Sequence, residues 1–155
     1  MRQTSGANRP RTARRRMSTP IFAACGVWQV GLGLYFVLLR PALLPEDARY
    51  IGASVVRINE VLPGIASWLR HVFTVMGGFM LASGVLTLVV ALTLVAERRK
   101  GTGVVLLIAG LASVTTMSWT NFAIGSSFKW LLVAPPLLWV SGLSAYALEA
   151  STARR

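Results

Sequence analysis

The chain alternates between long uncharged stretches and short clusters of charged or turn-forming residues. The longest uncharged stretch covers residues 72–96, which is 25 residues, and it ends at a basic turn of residues 97–101. A helix of that length extends about 37 Å, which exceeds the roughly 30 Å hydrocarbon core of a bilayer. Because such a helix has no polar face for water, the stretch is predicted to be a transmembrane helix.

Three weaker apolar stretches repeat this pattern, so the sequence predicts an all-α membrane protein built as a four-helix transmembrane bundle. The predicted spans are residues 21–39, 72–96, 102–119 and 128–149. Pro135 and Pro136 are expected to interrupt the fourth span, because their ring nitrogens cannot donate to the carbonyls one turn earlier. Residues 21–150 thus form the transmembrane domain. A basic tail of residues 1–20 precedes it and is predicted to be disordered, and a short basic tail of residues 151–155 follows.

Residues 40–70 form the one sizeable segment outside the predicted spans. Pro45 at a first helical position, followed by two acids in the first turn, indicates a helix start, and Gly52 can end that helix. The residues after Gly52 are too apolar for a freely solvated loop. We therefore expect short helices over the outer end of the bundle or on the membrane surface. The acids of this segment are expected to pair with its arginines rather than bind a cation: Glu46, Asp47 and Glu60 with Arg49 and Arg57.

Small residues at helical spacing predict where the spanning helices touch. There is little hydrophobic drive between helices in lipid, so close backbone approach marks the packing faces. The second span carries two neighbouring small-residue faces and is therefore predicted to be central. The predicted packing positions are Gly26, Gly33, Gly77, Gly78, Ala82, Gly84, Ala109, Ser113 and Gly142.

Two polar residues, Gln29 and His71, are the candidates for a ligand contact. Gln29 lies within the first span, where an amide is costly unless it finds a partner. It either contacts a ligand such as a quinone or makes an interhelical hydrogen bond, and the hydrogen bond is the favoured interpretation. His71 lies at the outer end of the second span and is interpreted as an interfacial polar residue.

The remaining composition argues against most reaction chemistry. Only 14% of the residues are charged, Cys25 is the only cysteine and His71 is the only histidine. A metal or haem site built from cysteines or histidines is therefore excluded, and no phosphate-binding loop or serine nucleophile motif is present. No catalytic residue, metal or cofactor is predicted, and the chain is not expected to be an enzyme. No acid or base lies near the centre of a span, which argues against ion-coupled transport.

The net charge of +11 is interpreted as membrane topology and lipid contact rather than nucleic-acid binding. Eleven of the 16 basic residues lie on the side that carries both termini and the 97–101 turn. The positive-inside rule therefore predicts cytoplasmic termini and an external 40–70 segment. If translation started at Met17, the two sides would carry five basic residues each and the orientation would be undetermined. The excess of arginine over lysine is typical of a GC-rich bacterial genome, which indicates the bacterial plasma (inner) membrane.

Leu44, Pro45 and Asp47, then Gly52 and Asn59, then Gly77, Gly78 and residues 82–86 follow one another in an order that resembles a known group. That group consists of uncharacterised small bacterial four-helix membrane proteins, distantly DoxX-like, and the resemblance covers about residues 44–88. It implies a compact four-helix membrane protein with no established activity. DoxX-like proteins have been linked to respiratory or redox partners, but no cofactor-binding motif here supports transferring that role.

The favoured function is that of a structural or accessory subunit, either self-associating or bound to a membrane-protein partner in the lipid bilayer. One alternative is a redox-associated or quinone-binding protein, in which Gln29, Trp28, His71 and the acids of the outer segment would line a site at the membrane surface. Another is a small transporter or channel, with Pro135 and Pro136 as a gating break.

Overall fold

The computed structural model describes residues 16–153, and its regular structure is helical throughout these residues. Four helices are long and apolar enough to cross a membrane: α1 (Ser18–Leu38), α4 (Ile65–Val95), α5 (Thr102–Ala123) and α6 (Leu131–Thr152). Two short helices, α2 (Pro45–Ile51) and α3 (Val55–Val61), connect α1 to α4. The predicted all-α class, with four long apolar helices and short helices within residues 40–70, is confirmed. Residues 1–15 and 154–155 of the predicted tails lie outside the described residues.

Several helices extend beyond their predicted spans. α1 begins at Ser18, inside the predicted tail, because Pro20 falls in its first turn, where a backbone N–H needs no helical partner. α4 begins at Ile65, before the predicted start at residue 72. Arg70 and His71 do not end the helix, because both lie on its exposed side. α5 continues to Ala123, beyond the predicted end at residue 119.

The two prolines of α6 do not break the middle of the helix. A 3₁₀ turn, Leu131–Val133, precedes the α-helical part, Ala134–Ala153, so that Pro135 and Pro136 lie in the first α-helical turn. The first four N–H groups of a helix have no partner inside it, so the missing donors cost little there. The expected interruption is wrong for this reason.

The most extensive helix contact is the antiparallel seam between α1 and α4. Gly26 faces Gly84 and Gly33 faces Gly77. A Cβ atom placed on Gly33 would lie 2.6 Å from the backbone nitrogen of Leu81. The backbones therefore touch directly, which only glycines at this spacing permit.

On its other side, α1 packs against α6, and α6 in turn packs against α5. Gly142 of α6 receives the ring of Phe22, and the indole of Trp139 covers Gly110 of α5. The Trp139 Nε1–H donates to the carbonyl of Leu106 at 2.8 Å. Phe22 and Trp139 meet edge to face in the buried core.

The helices thus follow one another around the bundle in the order α4, α1, α6, α5. Within the described residues α4 and α5 share no comparable contact, so the bundle is open between them. The expectation that the second span is central is therefore wrong, since α1 has neighbours on both sides and α4 does not. The close backbone seam holds α4 against one side of α1, and α6 and α5 follow on the other side.

A polar cluster ties together the end of the bundle near both chain termini, which we call the terminal end. The carboxylate of Glu149 accepts hydrogen bonds from the backbone N–H groups of Met17 and Ser18 at 2.7 and 3.1 Å and from the Ser18 hydroxyl at 2.8 Å. Arg98 also pairs with Glu149 and stacks on the ring of Tyr146. One carboxylate thereby joins the start of α1, the α4–α5 turn and the last turns of α6.

Candidate functional site

A groove of about 470 Å³ occupies the open side of the bundle. Its volume lies within the roughly 300–1,000 Å³ typical of small-molecule sites. α1 forms the floor with Trp28, Gln29, Leu32 and Phe36, and α4 and α5 form the two walls. The opposite end of the bundle, which carries residues 39–64 and 124–130, is called the loop end. The groove extends from the middle of α1 towards that end.

Gln29 is the buried polar group of the floor, with 6% of its surface exposed. Its Oε1 accepts a hydrogen bond from the Ser83 hydroxyl at 3.0 Å, which links α1 to α4. Its Nε2 has no hydrogen-bond partner among the described residues. A buried donor left without a partner costs about 1–3 kcal/mol. The interhelical bond therefore uses only half of the amide, and the Nε2 half is itself enclosed by protein atoms.

The seam between α1 and α4 sets the position of Gln29. It lies between Gly26 and Gly33, while Ser83 directly precedes Gly84 on the facing helix. Because the backbones are in contact at both glycine pairs, the register that brings the amide and the hydroxyl together cannot slide. Gln29 is 11 residues after the start of α1 and 9 before its end, or about 15 Å from either end. The amide is therefore at the middle of the span.

The α5 wall is polar and contains a π-helical turn, Leu111–Thr115. Thr116 donates its hydroxyl to the carbonyl of Leu111 at 2.9 Å, and Thr120 donates to the carbonyl of Thr116 at 2.9 Å. Their hydrogens are thus committed to the helix, and their oxygens keep lone pairs that can accept from a ligand. The side-chain amide of Asn121 donates to Met117 in the same way. π-Helical turns are frequent at functional sites.

The α4 wall is apolar and adaptable. Met76, Phe79 and Met80 line it, and Met117 approaches from α5. Thioether side chains are unbranched and polarizable, so they adjust to ligands of different shape and pack well against rings. The groove therefore combines an apolar wall with a wall of hydrogen-bond acceptors.

The two candidate ligand contacts do not come together. His71 is exposed on α4 near the loop end and does not line the groove, whereas Gln29 does. Among the other predicted positions, Ser113 lines the groove and Ala109 packs against the buried core.

Gly78 and Ala82 lie on the exposed side of α4, where a Cβ on Gly78 would have no atom within 4 Å. Among the described residues no helix therefore lies against Gly78, and Ala82 is exposed. Sequence reasoning did not identify Ser83 or Gly110. The signal available for Ser83 was that it is a second polar residue within a predicted span and so a possible partner for Gln29. Gly110 can be recognised as a packing position only once the position of Trp139 is known.

Acid–base pairs at the loop end differ in part from the expected ones. Glu60 pairs with Arg57 at 3.4 Å, as expected. Asp47 pairs at 3.4 Å with Arg40 instead of Arg49, while its carboxylate also accepts from the backbone N–H of Leu44 and caps α2. Arg40 competes successfully because it follows α1 directly and is already held over aromatic rings.

The guanidinium of Arg40 lies 3.4 Å from the ring centre of Phe73 and 5.3 Å from that of Phe36. Burial lowers the pKa of Arg40 below its ordinary value, and the nearby Asp47 carboxylate opposes this shift. Phe36 also belongs to the groove floor. The stack therefore lies beside the groove at the loop end.

Glu46 is also buried at the loop end, with 4% of its surface exposed. It accepts a hydrogen bond from the Ser126 hydroxyl at 3.5 Å, and Arg49 donates to Ser127 at 3.3 Å. These two contacts attach α2 to the connection between α5 and α6. Within residues 16–153 no three acids, histidines or cysteines lie close enough together to hold a metal ion.

Comparisons with protein-family models, curated proteins and solved structures found no match for this chain. The groove offers hydroxyl oxygens that can accept hydrogen bonds on α5 and an apolar surface on α4.

Proposed function

We propose that this chain is a small integral membrane protein with an accessory, non-catalytic role: it holds a membrane-embedded molecule in the groove on its open side. We place it in the plasma membrane of a bacterium with both termini in the cytoplasm. The excess of basic residues at the terminal end, including Arg98, Arg99 and Lys100, supports that orientation. The resemblance to small bacterial four-helix membrane proteins is consistent with this role but does not carry it.

The observation that carries the proposal is the groove itself, which combines the apolar α4 wall with the hydroxyl oxygens of Thr116 and Thr120 on α5. A lipid chain would fill the apolar volume but would offer these oxygens no hydrogen-bond donor. Binding of an occupant with a suitably placed donor is therefore favoured over simple filling by lipid.

The partly buried carboxylates support a binding role over a catalytic one, because they already serve the fold. Glu149 is engaged by Ser18 and Arg98, and Asp47 is engaged by Arg40 and the start of α2. A groove without a free acid or base can orient a molecule but has no proton donor or acceptor of its own for general acid–base chemistry.

Site-specific photo-crosslinking in native membranes tests the proposal. Phe79 lines the groove and is replaced by benzoylphenylalanine, which keeps an aromatic side chain. Val75 is the matched control, since it lies one turn away on α4, is 60% exposed and does not line the groove. We expect one dominant adduct at position 79 and a spread of bulk-lipid adducts at position 75. The same bulk-lipid spread at both positions would refute a binding role.

A protein partner is the second form that an accessory role can take. The exposed small residues Gly78 and Ala82 would allow another helix to approach the outer side of α4 closely. In that case the control position 75, on the same side, would give a discrete adduct of protein mass.

A further inference from the structure

We infer that the occupant of the groove is an uncharged lipid whose polar end is a hydroxyl group, the chemistry shared by diacylglycerols and long-chain polyprenols. The hydroxyl donates to the α5 wall near the loop end, and the hydrocarbon chains lie against the α4 wall. This inference rests on the binding role proposed above and names the ligand class for it.

The lining of the groove selects an uncharged polar end. Among the described residues that line it there is no lysine, arginine, aspartate or glutamate. A phosphate group would find no counter-charge there, and neither would an ammonium group, so either would lose hydration without compensation. Arg40 lies beside the groove at the loop end, but it is already paired with Asp47. A neutral polar group avoids this cost.

The hydroxyl groups of the lining select a hydrogen-bond donor. All four donate their hydrogen within the protein: Ser83 to Gln29, and Ser113, Thr116 and Thr120 to carbonyls of their own helix. Thr116 and Thr120 are exposed, so their oxygens can accept from an occupant. A hydroxyl group on the occupant supplies the missing hydrogen, whereas the ester and ether oxygens of a lipid without a hydroxyl supply none.

The depth of these acceptors matches the polar end of a lipid. Thr120 lies in the last turn of α5, and Thr116 lies one turn deeper. Trp119 directly precedes Thr120 and is 76% exposed, and Trp130 at the loop end is 72% exposed. Exposed tryptophans favour the membrane interface, which is also the level of lipid glycerol and hydroxyl groups. The donor therefore lies at the interface, and the rest of the molecule extends towards the middle of the membrane.

The apolar part of the groove gives the chains of such a lipid a place. Leu32 on the floor and Met76, Phe79 and Met80 on the α4 wall line it, and thioethers adapt to flexible chains. The volume of about 470 Å³ suits the polar end and the first part of the chains. α4 and α5 share no extensive contact among the described residues, so the remaining hydrocarbon can leave sideways into the bilayer.

Photo-crosslinking in vesicles of defined composition tests the inference. Protein with benzoylphenylalanine at position 79 or 75 is reconstituted in dioleoylphosphatidylcholine with a minor fraction of dioleoylglycerol, and the adducts are identified by mass spectrometry. The enrichment is the share of dioleoylglycerol among the adducts at position 79 divided by its share at position 75. We expect this enrichment to be about fivefold greater than that of the O-methyl ether of dioleoylglycerol, which lacks only the hydroxyl hydrogen; fivefold is the value of one net hydrogen bond.

The α5 acceptors are tested by replacing Thr116 and Thr120 together with valine, which keeps the shape of both side chains. The fivefold preference for dioleoylglycerol over its methyl ether should then disappear. Thr93→Val is the matched control and should keep the preference: Thr93 is exposed, donates to the Val89 carbonyl one turn earlier and does not line the groove. If the double variant does not fold, the comparison of the two lipids in the unaltered protein decides the matter alone.

The outcomes separate the ligand class from the binding role. Equal enrichment of dioleoylglycerol and its methyl ether overturns the inference, as does a preference that survives in the double valine variant. Stronger enrichment of dioleoylphosphatidic acid, which has the same chains and a phosphate, overturns it too but leaves the binding role in place. If positions 79 and 75 give the same bulk-lipid adducts in native membranes, the binding role itself fails. A long-chain polyprenol that is enriched above dioleoylglycerol, with the same dependence on the two threonines, supports the inference and identifies the polyprenols as the source, whereas the reverse order identifies the diacylglycerols.

Discussion

The seam between α1 and α4 makes a strong prediction for Gly33→Ala. The new Cβ would lie 2.6 Å from the nitrogen of Leu81 and 2.8 Å from the carbonyl oxygen of Gly77, while ordinary contact begins at about 3.4 Å. Both neighbours are backbone atoms of a long helix, so no side-chain rotation can make room. The helices must therefore separate by about 0.8 Å near this point, and they would lose close contact on both sides of it.

Forcing a methyl group into a close-packed contact of this kind costs about 1–3 kcal/mol. Gly31→Ala is the matched control, because it lies on the same helix and its Cβ would have no atom within 4 Å. Alanine is the better helix former by up to about 1 kcal/mol, so the control should be neutral or stabilising. The two variants should thus differ by about 2 kcal/mol or more in the free energy of unfolding.

Reversible unfolding in mixed micelles of dodecyl maltoside and SDS, followed by circular dichroism, measures this difference. The facing pair provides an internal check. Once Gly33→Ala has separated the helices, Gly77→Ala should cost less than it does alone, since contacting sites do not add. Equal stability of the Gly31 and Gly33 variants, or full additivity of the Gly33 and Gly77 variants, would refute the backbone contact.

The polar clusters and the groove give three further predictions. Glu149→Gln should lower the free energy of unfolding by about 1.5–3 kcal/mol, because the carboxylate is the shared acceptor for Ser18 and Arg98. The control is Glu97→Gln, in an exposed pair with Arg99, which should change the free energy of unfolding by less than about 0.5 kcal/mol in the same assay. Arg40→Lys should lower the free energy of unfolding by about 1 kcal/mol, since a lysine cannot stack as a planar group on Phe73. Arg57→Lys, in the exposed pair with Glu60, should leave it unchanged. A larger effect at Arg57 than at Arg40 would contradict the stack. Gln29→Leu removes the unpartnered Nε2 donor but also the hydrogen bond that Ser83 donates to Oε1. The two effects oppose each other, so the melting temperature of the ligand-free protein should change little, and a large loss would mean that the Ser83 bond outweighs the cost of the unpartnered donor.

The number and length of the spanning helices follow from the sequence because they depend on local hydrophobicity alone. The start of α2 follows for a similar reason, since Pro45, the capping carboxylate of Asp47 and Gly52 with its φ of 78° act within one short segment. The prolines of α6 were misjudged because their effect depends on where the helix begins. A proline that breaks the middle of a helix is tolerated in the first turn.

The order of the helices could not be predicted in the same way. Small residues such as Gly78 and Gly84 indicate where a helix can approach, but not which helix does so. Gln29 and Ser83 are 54 residues apart, and Ser18 and Glu149 are 131 apart. Whether such residues meet depends on the register of the packed helices, which no local pattern contains. The groove depends on the same register and on the missing contact between α4 and α5.

The contacts that hold α1 against α4 are separate from the contacts that set the width of the groove. The floor belongs to the α1–α4 seam, which holds Gln29 beside Ser83 through direct backbone contact. The α5 wall is held from the other side, through Trp139 on α6. Because no extensive contact joins α4 to α5 in residues 16–153, the groove can widen or narrow without breaking the seam. Binding energy therefore need not be spent on parting packed helices, and the amide stays in place while the opposite wall adjusts to its occupant.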